Sequence, residues 1–312
     1  MRLATSGRAV LLGLVAFPAL DTANAQTAPR HLAFTLPAVS GVQRLADRSY
    51  RSLAGSPDTV MYGPALRYDV FLPPPRDGKR RAGVVFIHGG LVPDTLRVSP
   101  KDDLPSYREW GTLVASAGLV GITFSHRLTT ADNVDLAADD VRELLRVVRN
   151  RADDWQLDPN RLCVAVFSAG GPLASLFMRD TPQFSVRCIA MYYPFLDTEH
   201  AAVRTPFRNA YDPERTAELA QFSPRLAVLA HGGSVPPMLV ARAGRDAIPG
   251  INASIERFVQ AALWVNAPLD LYVHPTGAHG FDMTAAPDPR ASEIVAATLE
   301  FFRRHLQPGV SP

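Results

Sequence analysis

Two apolar patterns alternate along most of the chain. Short unbroken apolar runs recur in "AGVVFIHGG" (82–90), "LVGITFSHR" (119–127), "RLCVAVFS" (161–168), "VRCIAMYYPFLD" (186–197), "PPMLVARAGRD" (236–246) and "LDLYVHPTGAHGFD" (269–282). Runs such as 82–90 and 119–127 predict buried strands, and the others read as strands too. Between them lie segments with helical spacing. In "DNVDLAADDVRELLRVVRNRADDW" (132–155), Val134, Leu136, Val141, Leu144, Leu145 and Val148 follow helical apolar spacing. "YREWGTLVASAG" (107–118) closes on Gly118, as a helix does. Further helices are predicted over "AGGPLASLFMRD" (169–180), "INASIERFVQAALWVN" (251–266) and "RASEIVAATLEFFRRHL" (290–306). Two more strand-like runs, "DTVMY" (58–62) and "RYDVFLPPP" (67–75), come first.

Alternating strands and helices predict one α/β domain, with a mostly parallel central sheet and helices on both faces. Its span is 58–312. Residues 26–57 have no clear period and are expected to form an N-terminal arm. Residues 198–235 turn polar and irregular and are expected to form a small cap or insertion over the carboxyl ends of the strands, where α/β sheets bind ligands.

The first 25 residues change the reading of the compartment. Arg2 and Arg8 precede the apolar run Ala9 to Leu20, and Ala23-Asn24-Ala25 follows. This order predicts a secretory signal cleaved after Ala25, hence a secreted or periplasmic protein. An uncleaved anchor is the alternative, but the run is short for a membrane span. Removing the segment takes away two arginines and Asp21, so the formal charge of +2 falls to +1. Such a chain has no overall attraction for nucleic acid, and none is expected as a partner. No stable membrane insertion is expected once the signal is removed. In an oxidising compartment Cys163 and Cys188 could pair. The alternative, two small buried apolar residues, is the stronger expectation, because neighbouring strands rarely aim both Cβ atoms correctly.

The chemistry gathers at strand ends. Ser168 follows a strand and precedes small residues. A serine hydroxyl needs a base within hydrogen-bond reach, and donors for the oxyanion that forms. His279 lies in a glycine-flanked loop after the last strand, and Asp246 just past the strand before it. His88-Gly89-Gly90 follows an early strand, where glycines let backbone N–H groups face a substrate carbonyl. All lie on one rim of a parallel sheet. Asp197, at another strand end, is a second candidate for the acid. Asp282 reads as a brace of the His279 loop. His88 reads as a loop-ordering residue, and His126 and Arg127 as structural.

These motifs together resemble the α/β-hydrolase superfamily, in particular its esterase and lipase (carboxylesterase-like) branch. "FSAGG" resembles the nucleophile elbow, "HGG" the oxyanion loop, and the order Ser168, Asp246, His279 matches the family's nucleophile, acid and base. The resemblance runs from about Asp58 to about Leu306. It implies an α/β-hydrolase fold, Ser168 as nucleophile, His279 as base, Asp246 as its orienting acid, and an oxyanion hole from the N–H of Ala169 with that of Gly89 or Gly90. The implied activity is hydrolysis of a small-molecule carboxylic ester through an acyl-enzyme. A neutral imidazole base implies activity rising through roughly pH 6–7.5. Two departures stand out. Val166 replaces the first glycine of G-x-S-x-G, and "HGGL" lacks the third glycine of the HGGG subtype, which argues against the hormone-sensitive-lipase-like branch. The alternatives are a serine peptidase similar to the prolyl-oligopeptidase catalytic domain, and a catalytically silent binding protein, which Val166 would favour. No cofactor or metal is expected: the chain has no C-x-x-C or H-x-x-x-H pair, no G-x-G-x-x-G and no phosphate-binding loop. The N-x-S sequon at Asn252 lies in a helix and is discounted.

Overall fold

The structure, a computed structural model, describes residues 31–37, 40–75, 78–90, 105–128, 133–179, 185–198, 213–284 and 286–307. The proposed signal segment, the start of the arm, part of the glycine loop beyond Gly90 and residues 199–212 of the expected cap lie outside the described residues.

Among the described residues, ten strands form two sheets. β1 (His31–Leu32) pairs with β10 (Met283–Thr284) in a small antiparallel ladder. The other eight are β2 (Gln43–Ser52), β3 (Ala65–Leu72), β4 (Arg81–Ile87), β5 (Val120–Phe124), β6 (Leu157–Phe167), β7 (Cys188–Tyr192), β8 (Met238–Ala243) and β9 (Leu269–His274). They form one sheet in the order β2-β3-β5-β4-β6-β7-β8-β9. β2, β3 and β5 pair antiparallel, and every pairing from β5 through β4 to β9 is parallel.

Alternation along the buried strands divides the core between the two faces of the sheet. Val85, Ile87, Val164, Val166 and Met191 lie in one apolar cluster with the helices Val134–Asn150 and Ile251–Trp264. Val84, Phe86, Cys163, Ala165 and Phe167 lie in the other with Pro105–Ser116 and Pro289–His305. Each strand serves both layers, as a continuous apolar run requires. The last helix starts on an Asp288 side chain that accepts from the Ala291 N–H, with Pro289 in its first turn. Two short helices, Pro213–Ala220 and Pro224–His231, precede β8.

Four expectations are corrected. The region read as an arm contains the ten-residue edge strand β2, in which only Tyr50 is buried. Without a buried face there is no alternation to read, and its arginines suit an exposed edge. "DTVMY" is a helical turn, Thr59–Tyr62, begun by the Ser56 hydroxyl accepting from the Asp58 N–H. The segment after Ser168 is a 3₁₀ helix, Ser168–Leu176, with Pro172 inside it. Cys163 and Cys188 are joined in a disulfide. They are direct partners in the β6–β7 register, with Cα atoms 4.7 Å apart, so both side chains leave the same face within bridging range.

The bridge spans 25 residues of chain. Replacing both cysteines with alanine is therefore expected to cost about 2–4 kcal/mol, measured by denaturant unfolding. Thiol titration of the unfolded wild type without reductant should find no free sulfhydryl.

Candidate active site

The site is built where β6 ends. Phe167 is extended, and Ser168 turns abruptly to a φ of +51°, a left-handed conformation costly for a residue with a side chain. Close backbone contacts hold it there. A Cβ added to Gly89 would lie 2.5 Å from Phe167 O and 2.6 Å from Ser168 Cβ. One added to Gly170 would lie 2.6 Å from His88 O, and one on Gly171 would collide with the Phe195 carbonyl. The glycines are thus spent on the faces where the loop after β4 and the loop after β7 press against the turn.

Pro172 explains the 3₁₀ geometry. An α-helix starting here would have residue 172 donate its N–H to Ser168 O, and proline has none. Phe195 takes that place, donating its N–H to Ser168 O at 3.0 Å. Val166, the departure from G-x-S-x-G, points into the apolar layer and is fully buried in the cluster that contains Leu173 and Ala174.

The structure brings Ser168, His279 and Asp246 together. Ser168 Oγ lies 2.7 Å from His279 Nε2, and His279 Nδ1 lies 2.7 Å from Asp246 Oδ2. The Asp246 side chain is enclosed, and its other oxygen accepts from the Ile248 N–H at 2.9 Å. A carboxylate accepting at Nδ1 puts the imidazole proton on that nitrogen and leaves Nε2 free to accept from the serine hydroxyl. Arg245 N–H donates to Gly277 O at 2.9 Å, fixing the Asp246 loop to the His279 loop.

The second candidate acid is elsewhere. Asp197 is buried against Arg225 (3.0 Å) and Arg257 (3.6 Å). Asp282 sits under the His279 loop, accepting from Trp110 Nε1 at 3.0 Å and from the Tyr193 hydroxyl at 2.5 Å. Arg127 is held by Asp140 and Asp58. The Gly89 N–H donates to the Tyr107 hydroxyl at 3.0 Å, while Gly90 takes a φ of +90° beside it. Tyr107, Trp110 and Tyr193 escaped sequence reasoning. They lie inside a helix or at a strand end, where an aromatic residue reads as core.

His88 and His126 stack face to face, ring centres 3.7 Å apart, beneath the glycine loop. The His126 N–H donates to His88 Nε2, so His88 carries its proton on Nδ1, facing Gly89 O at 2.8 Å. Among the described residues no group of three or more His, Cys, Asp or Glu could hold a metal ion, and no helix is long and apolar enough to cross a membrane.

Comparison with known proteins places this architecture. Thermogutta terrifontis esterase 2, in its form phosphoramylated by tabun, superposes with a TM-score of 0.63 at 19% identity, over 87% of this chain and 98% of that one. Its propionate-bound form gives 0.63 at 20% identity, over 88% and 98%. The chain has the α/β-hydrolase fold. The BD-FAE family profile matches residues 68–201 of this chain, from β3 to just past β7. An acetylxylan esterase of Xylanibacter ruminicola is 25% identical over 176 residues, which are 53% of this chain but only 35% of that relative's length.

The histidine stack makes a pH prediction. Burial lowers His88 from 6.5 to about 4, and burial together with the neighbouring His88 pushes His126 well down. Both are neutral in the folded protein, whereas an unfolded chain protonates them near 6.5. Their contribution to stability is complete above that pH and is lost as pH falls toward 4. For His88 alone the loss is roughly 3 kcal/mol. Urea unfolding from pH 7.5 to 4.5 should show the decline, and His126→Asn should flatten it.

Proposed function

We propose that this α/β-hydrolase is an exported serine esterase that cleaves carboxylic esters through an acyl-enzyme. The observation that carries the reading is the unbroken chain of contacts Ser168 Oγ, His279 Nε2, His279 Nδ1 and Asp246, each link 2.7 Å. Ser168 Oγ attacks the ester carbonyl as its proton passes to His279 Nε2, and Asp246 stabilises the resulting imidazolium. The tetrahedral oxyanion is met by the Ala169 N–H and, from the glycine loop, by Gly90, since Gly89 already gives its N–H to Tyr107. Collapse breaks the bond to the alcohol, which leaves with the proton from Nε2. Water, deprotonated by His279, then attacks the acyl-serine and releases the acid and the free enzyme.

The left-handed Ser168 supports a nucleophile rather than a strand-end serine, because a strained turn needs the packing that surrounds it. The same strain weighs against the silent binding protein, and the turn forms with Val166 buried in the apolar layer beside it. The relatives support an ester with a short acyl group: one is named an acetylxylan esterase, and another was solved with propionate bound. Residues 1–25 support export, and the mature chain recovered from a secreting host should begin at Gln26.

Turnover of p-nitrophenyl acetate tests the catalytic assignment. Ser168→Ala and His279→Ala should each lower kcat by at least ~10³-fold, and the double variant should be no worse than either alone. Asp246→Asn should fall by about 10²–10⁴-fold with KM little changed. Full activity in Ser168→Ala, or faster cleavage of a peptide p-nitroanilide than of the ester, would rule the assignment out.

A further inference from the structure

We infer that Asp282, clamped by Trp110 and Tyr193 behind His279, is a positioning residue that stabilises the imidazolium of His279 as it forms. The inference rests on the esterase reading above and extends it to a second carboxylate.

Asp282 is 1% exposed. Burying a carboxylate is costly unless its oxygens are satisfied, so a charge retained at such depth requires compensation. Its compensation is specific. Oδ2 accepts from Trp110 Nε1, a group that can only donate, and Oδ1 accepts from the Tyr193 hydroxyl. Two donors on two oxygens suit the ionised form. Its main-chain carbonyl is held as well, by the Ala33 N–H at 2.7 Å. Burial raises Asp282 above the ordinary carboxylate range, opposed by Tyr193, Trp110 and the charge of His279.

A brace for the loop would need none of this chemistry to touch the imidazole, but Tyr193 does. Its ring centre lies 4.5 Å from that of His279, tilted by 58°. Tyr193 has a φ of +35°, left-handed like Ser168, and its N–H donates to Ala241 O at 2.7 Å. The end of β7 is therefore bent to place one ring between Asp282 and the base. Asp246 fixes the Nδ1 edge of the imidazole, and Tyr193 backs its ring with Asp282 behind it.

Among the described residues, few other charges face this cluster. Asp246 meets His279 from the loop after β8, and Ser168 meets it from the turn after β6. From the helix Pro105–Ser116, Tyr107 and Trp110 face Asp282; from the end of β7, Tyr192 and the residue after it, Tyr193, do. Burial holds all three tyrosines neutral by raising them, and His274 on β9 is turned to Asp288 at 3.0 Å. In such an enclosed site a negative charge acts on a forming cation with little screening.

The test is the pH profile of kcat/KM for p-nitrophenyl acetate, in wild type, Asp282→Asn and Tyr193→Phe. Asp282→Asn removes the charge and keeps the shape. The imidazolium then loses support, so the acid limb should move to lower pH by about 0.5–1 unit, and kcat should fall roughly tenfold with KM unchanged. Tyr193→Phe removes one donor, raises Asp282 and keeps the ring. It should move the limb the same way by less, and it stands in should Asp282→Asn fail to fold. A merely structural brace would lower thermal stability and leave the limb in place; an unmoved limb in the folded variants overturns the inference. Should wild type show no turnover that Ser168→Ala abolishes, the esterase reading itself fails and the inference falls with it.

Discussion

The site depends on one backbone turn. Ser168 must leave β6 in a left-handed conformation that costs on the order of 1–3 kcal/mol, and neighbouring chain has to supply what holds it. The supply comes from both sides: the loop after β4 presses in through Gly89 and against Gly170, and the loop after β7 presses against Gly171 and donates the Phe195 N–H to Ser168 O. Pro172 leaves that carbonyl free for Phe195. The β6–β7 disulfide, set at Cys163 and Cys188, ties together the two strands that deliver Ser168 and Phe195. The serine is thus fixed by the central strands of the sheet.

Three carboxylates at strand ends or in the base loop have been sorted by environment into three tasks. Asp246 is enclosed with one oxygen on His279 and the other on a main-chain N–H. Asp197 is bound to Arg225 and Arg257 beside the helix Pro224–His231. Asp282 accepts two neutral donors and no arginine. An arginine partner would cancel the charge of Asp282; tyrosine and tryptophan satisfy its oxygens and leave its field intact.

The sequence was most legible where burial on both faces produces unbroken apolar runs. Strands β4 to β8 could be read that way, and together with the partly buried edge strand β9 they carry the rim on which Ser168, Asp246 and His279 come together. It was least legible where structure arises from pairing. β2 buries only Tyr50 and is made a strand by its ladder to β3. The disulfide depends on a register between β6 and β7 that no single-strand pattern encodes. The 3₁₀ segment depends on Phe195, 27 positions after Ser168, claiming a carbonyl that Pro172 cannot use. Tyr107, Trp110 and Tyr193 have ordinary core spacing, and only their hydroxyl or indole partners mark them as more than filling.

The most direct test of the account is to treat the folded, mature protein with a fluorophosphonate and locate the adduct by peptide mass spectrometry. A strained Ser168 with His279 on its hydroxyl predicts one stoichiometric adduct, on the peptide carrying Ser168, absent when His279 is replaced by alanine. An unmodified Ser168 in folded protein, or an adduct on another serine, would contradict it.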